Sequence, residues 1–122
     1  MLKHVSFVTP SAAPIQDFYG QLGAETEKDV TAPDGLRRLV LKFDGGGRLQ
    51  FFVTDRMPPT IGAEWLEHVA VELADFEVSV QALKALRVPF IREPETLPSG
   101  RRVAFALDPD GRHVELLERR DH

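Results

Sequence analysis

Four side chains in this sequence have the types and the placement to hold a divalent metal ion. His4 and His68 each head a short apolar run, "LKHVSF" and "LEHVAV"; Gln50 lies in "RLQFFV" and Glu115 in "HVELLE". Two imidazoles and a carboxylate on one face form a facial set that binds such an ion and leaves positions open for water or substrate. Gln50 would add a neutral oxygen as a fourth ligand. With neutral histidines and an ionised Glu115, the ion keeps about one positive charge, which polarises a carbonyl or enolate oxygen. Glu115 would double as general base, a role that contributes roughly 10²- to 10⁴-fold.

These residues need strands to aim them. Residues 2–9 read as a strand, "SAAPIQDFYGQLG" as a helix with Ile15, Phe18, Tyr19 and Leu22 on one stripe, and 24–30, 36–43 and 48–54 as strands separated by "PDG" and "DGGG" turns. Residues 55–64, "DRMPPTIGAE", carry adjacent prolines and read as a linker. The order then recurs: a strand at 66–74, a helix "DFEVSVQALKALR" with Asp75 as N-cap, and strands near 88–92, 101–107 and 112–119. "REPETLPSG" reads as a loop, and "DPDG" as a type I turn. His4 and His68, Arg38 and Arg102, and Gly47 and Gly111 all pair at an offset of 64. Gln50 and Glu115 stand 65 apart, so a strict offset would put Phe51 in place of Gln50. The chain is thus expected to be one domain over 1–122, with module 1 at about 1–54 and module 2 at about 65–120.

Strand alternation assigns the faces. Val5 and Phe7 suit the first helix, turning His4 and Ser6 away; Val69, Val71 and Leu73 do the same for His68 and Glu72. Leu49, Phe51 and Val53 leave Gln50 and Phe52 opposite, and Val114 and Leu116 leave His113 and Glu115 opposite. Leu39, Leu41 and Phe43 leave Arg38 and Val40 opposite. In "RRVAFAL" the same logic puts Val103, Phe105 and Leu107 on the helix side, with Arg102, Ala104 and Ala106 on the other. Arg38 and Arg102 become candidates for gripping a substrate carboxylate or phosphate. Phe52, Glu72 and His113 are further candidates for the substrate cavity.

Composition removes other classes. A net charge of −4 with scattered arginines offers no basic surface for nucleic acid, and the absence of cysteine excludes disulfides and thiolate ligands. No stretch approaches the roughly 18 apolar residues of a membrane span, so a soluble cytoplasmic protein is expected.

The paired βαβββ modules, "FYGQLG", "LEHVAVEL" and "DPDGRHVELLE" resemble the vicinal oxygen chelate superfamily, which includes glyoxalase I, methylmalonyl-CoA epimerase, extradiol dioxygenases, fosfomycin resistance transferases and metal-free bleomycin resistance proteins. The resemblance implies an α+β fold of two tandem βαβββ modules forming a curved mixed sheet around a cavity. It implies metal ligands from the first and fourth strands of each module: His4, Gln50, His68 and Glu115. This set most resembles methylmalonyl-CoA epimerase and glyoxalase I, and implies an isomerase or lyase that binds one divalent ion, with Zn, Ni, Co, Mn and Fe all compatible. Two alternatives stand beside it: an Fe(II) ring-cleaving dioxygenase using His4, His68 and Glu115, and a metal-free binding protein. A homodimer is expected, because each module leaves a sheet edge to be covered.

Overall fold

The computed structural model describes residues 1–56 and 67–120. It divides into two compact units, Met1–Pro59 and Thr60–His122. Most of the expected linker lies outside the described residues.

In the first unit, β1 (Val5–Thr9) leads to α1 (Ala12–Gly20), then β2 (Ala24–Thr31), β3 (Arg37–Phe43) and β4 (Arg48–Val53). The sheet order is β1-β4-β3-β2, with β1 parallel to β4 and the other pairs antiparallel. A parallel first pair needs a crossover, and α1 is part of it. The helix buries Ile15, Phe18 and Tyr19 against the sheet face that carries Leu39, Leu41 and Phe51. Phe51 is centred in an aromatic cluster, 5.8 Å from the Phe7 ring and 5.7 Å from Tyr19. The cluster fixes the strand faces: with Phe7 and Phe51 under the helix, Ser6 and Gln50 must point the other way.

The second unit repeats this plan with β5 (Val69–Leu73), α2 (Phe76–Ala85), β6 (Phe90–Thr96), β7 (Arg102–Leu107) and β8 (His113–Glu118), in sheet order β5-β8-β7-β6. Asp75 caps α2 by accepting from the Val78 amide at 3.1 Å. Phe76, Val80 and Leu83 form its buried stripe.

Two expectations change here. The segment "REPET" is not a loop but the continuation of β6 to Thr96. Pro94 is tolerated because β6 is an edge strand and the ladder is irregular between Arg92 and Glu95. The faces of β7 are also the reverse of those expected. Phe105 pairs with Glu115 and Val103 with Leu117, so the large residues share the Glu115 face, while Ala104 and Ala106 lie beside Leu116 and Val114 on the helix-covered side. Both alanines are fully buried there. The space they leave is available to Leu116, Val114 and the apolar stripe of α2.

The reversal moves Arg102. Its guanidinium donates to Glu118 Oε2 at 2.9 Å and to Glu77 Oε2 at 3.1 Å, and it lies 5.1 Å over the Phe76 ring of α2. Arg102 is therefore a brace between helix and sheet, on the helix-covered side and not on the Glu115 face expected from the sequence. The side-chain bonds from Arg102, then the bond from its backbone amide, hold the Glu118 carboxyl below its ordinary value of 4.5. A depressed carboxyl stabilises the fold above that value and loses its contribution as pH falls through the lower folded value. Arg102→Met should therefore narrow the gap between urea midpoints measured at about pH 6 and about pH 3.5. An unchanged gap would show that the pair carries no pH-dependent stability.

Candidate metal centre

The first unit holds one of the two candidate donor pairs. Gln50 crosses the sheet from Ser6 in register, and its Nε2 donates to Ser6 Oγ at 2.8 Å and faces His4 Nε2 at 3.4 Å. An amide nitrogen can only donate, so His4 meets it as the tautomer with its proton on Nδ1 and a lone pair on Nε2. The Gln50 Oε1 accepts from Arg38 Nη1 at 3.5 Å. Exchanging the amide atoms would set two donors against each other, so Arg38 fixes which end of the amide faces His4. Arg38 thus appears as a neighbour of the candidate ligand. Phe52, in register with Arg38 and Val8, lies half-buried on the same face.

The second unit contributes the other pair. His68 Nε2 stands 3.4 Å from Glu115 Oε1, with both side chains partly exposed. The His68 ring meets Phe105 edge-on, with centroids 5.6 Å apart. Glu115 pairs with Ala70 on one side and Phe105 on the other. His113, across from Leu107, is buried on that face, and Glu72, in register with Leu117, is ion-paired to Arg101 at 2.9 Å.

The strand registers decide the question left by the uneven spacing. Ser6 pairs with Gln50 and Ala70 with Glu115, so Gln50, not Phe51, occupies the place of Glu115. The 64-residue offset holds for the first strands and becomes 65 from the third strand on, since Val40 pairs with Gln50 as Phe105 does with Glu115. By the same count the counterpart of Arg102 is Arg37, which is bound to Asp29, and not Arg38.

The family comparison fits this duplicated plan. The family model for the Glyoxalase/Bleomycin resistance protein/Dioxygenase superfamily matches residues 1–116. The chain belongs to this superfamily. Among solved structures, a glyoxalase family protein from Enterococcus faecalis is 24% identical with a TM-score of 0.74, covering 97% of each chain. Glyoxalase I from Zea mays is 21% identical with a TM-score of 0.81, over 98% of this chain but 45% of its own. The fosfomycin resistance protein FosX from Listeria monocytogenes is 17% identical with a TM-score of 0.73, covering 98% of this chain and 93% of that one. At these identities the likeness establishes the superfamily's fold. No curated protein matches the chain.

The donor chemistry suits the divalent ion that the superfamily implies. Two ligand atoms bound to one ion at about 2.0–2.2 Å, at tetrahedral or octahedral angles, stand about 3.0–3.5 Å apart. Of the two pairs, His68 Nε2 and Glu115 Oε1 are both ligand atoms, and their 3.4 Å separation falls in that range; the 3.4 Å from His4 Nε2 to Gln50 runs to the amide nitrogen, which does not ligate. For His68 and Glu115 it is also longer than the roughly 2.7–2.9 Å of a tight charge-assisted hydrogen bond. Among the described residues, no three His, Cys, Asp or Glu side chains are grouped to hold an ion. What the structure supplies is one candidate donor pair in each unit. Among the described residues, no helix is long and apolar enough to cross a membrane.

Proposed function

We propose that the chain is a divalent-metal-dependent isomerase or lyase of the glyoxalase and epimerase type, acting on a small carbonyl- or carboxylate-bearing substrate. His4, Gln50, His68 and Glu115 would hold the ion, the two half-sites completing each other within one chain or between the chains of a homodimer. The observation that carries the reading is the His68–Glu115 pair at ligand spacing, with His4 and Gln50 side by side at the register-equivalent positions of the first unit. When bound, the ion supplies Lewis-acid polarisation of a substrate oxygen. Glu115 removes the proton from the carbon beside the carbonyl and returns it on the other face or to a neighbouring atom. Phe105 and Phe52 limit water on their respective faces. The test is solvent exchange: metal-loaded protein in D₂O with small 2-oxo acids and acyl thioesters should place deuterium beside the carbonyl, read by NMR. Absence of exchange across the panel would count against the reading.

One observation favours a second reading. The Gln50 oxygen faces Arg38 and its nitrogen faces His4, which leaves His4, His68 and Glu115 as a three-ligand set of the kind an Fe(II) ring-cleaving dioxygenase would use. Iron-dependent oxygen uptake with catechols would support it over the isomerase.

The amide orientation yields its own prediction. To act as a ligand, Gln50 must give up its bond to His4 and turn its oxygen away from Arg38. Gln50→Glu presents oxygen in both directions and adds a charge, so it should tighten zinc binding by about tenfold, the equivalent of about 1.4 kcal/mol. Calorimetric titration of both proteins measures it. Equal affinities would remove Gln50 from the ligand set.

A further inference from the structure

The Glu115 face of the second unit carries a cation that the proposed reaction does not use. Arg92 is in register with Phe105, which is in register with Glu115 and, through it, Ala70. Directly paired residues project from the same face, so these four form one row across the sheet. The Arg92 guanidinium lies 5.9 Å over the Phe105 ring, and His68 meets the same ring at 5.6 Å. One aromatic ring therefore has the His68–Glu115 half-site at one end and a guanidinium at the other. Neighbouring strands are about 4.8 Å apart, which puts the backbones of Arg92 and Glu115 about 10 Å apart.

The first unit has the same row, Ser6, Gln50, Val40 and Lys28, and it too ends in a cation. Lys28 and Arg92 each follow an irregularity in the edge-strand register, after Thr26 and after Phe90. Such an irregularity re-aims a side chain. Arg92 is also presented with a carboxylate already on it: Glu95 Oε1 accepts from its Nη2, and both side chains are well exposed. An exposed pair of this kind is worth little and yields readily to a competitor.

We propose that Arg92 is an anion subsite that selects substrates bearing a second, distal carboxylate or phosphonate, with Phe105 as the apolar floor under the linker and Glu95 as an internal occupant. The proposal rests on the metal reading only for the position of the substrate's other end. The probes are 2-oxoglutarate and 2-oxopentanoate, which share a chain length and differ in a distal carboxylate against a methyl group. With zinc-loaded protein, calorimetry should show 2-oxoglutarate binding about tenfold more tightly, as expected for a charged hydrogen bond. Arg92→Gln should abolish the preference while leaving 2-oxopentanoate unchanged, and Glu95→Gln should increase it. A preference that survives in Arg92→Gln overturns the subsite, as does the lack of any preference in the wild type. Glutarate with metal-free protein separates the two proposals: Arg92-dependent binding there, with no zinc-dependent binding of either oxo acid, keeps the subsite and sinks the metal reading.

Discussion

Glu115→Gln is expected to slow solvent deuterium exchange by roughly 10²- to 10⁴-fold, the usual contribution of a positioned general base. The substitution preserves shape and leaves a neutral oxygen donor in place, so the comparison is made at saturating metal. Glu115 is held from two sides, by Ala70 of β5 and Phe105 of β7, on a strand whose Val114 and Leu116 are fully buried. The backbone has little freedom to reposition a replacement, so the loss should appear in the rate with the fold intact by circular dichroism. A variant that exchanges at the wild-type rate would remove Glu115 from proton transfer.

The second large effect concerns stability. Phe51→Ala should cost roughly 3–5 kcal/mol in urea unfolding, the usual range for truncating a buried aromatic. Phe51 has no exposed surface and joins Phe7 of β1 to Tyr19 of α1. It is also the residue next to Gln50, and its burial under the helix is what turns Gln50 to the opposite face. Loss below about 1 kcal/mol would show that the strand faces are set by other contacts, since even one buried methylene is worth about that much.

Much of this architecture was legible in the sequence because most strands alternate cleanly. In β3 and β4, Leu39, Leu41, Leu49 and Phe51 sit under the helix as read, and His4, Ser6, Arg38 and Gln50 share the other face. The reading failed in β7 because "RVAFAL" is apolar on both sides, so alternation alone cannot say which side a helix covers. Size misled there: the large residues were assigned to the helix, but the helix-covered positions are the alanines. Arg102 was misplaced with them because alternation ties its face to theirs, and its pairing with Arg38 at an offset of 64 ignored the extra residue that shifts the last two strands. The role of β6 was hidden by Pro94, which reads as a loop signal and is accommodated at a sheet edge. Arg92 was nonetheless visible as the repeat partner of Lys28 at the same offset of 64. The hydrogen bonds of Gln50 could not be read from sequence, because which end of an amide faces a histidine depends on the neighbours that pack against it.

The central claim is that the duplicated half-sites make one metal centre, and cobalt titration tests it most directly. Cobalt(II) added to metal-free protein should give visible absorption bands that saturate at one ion per chain, and His4→Ala and His68→Ala should each abolish them although the two residues belong to different units. Bands that survive the loss of either histidine, or no saturable binding at all, would contradict the account.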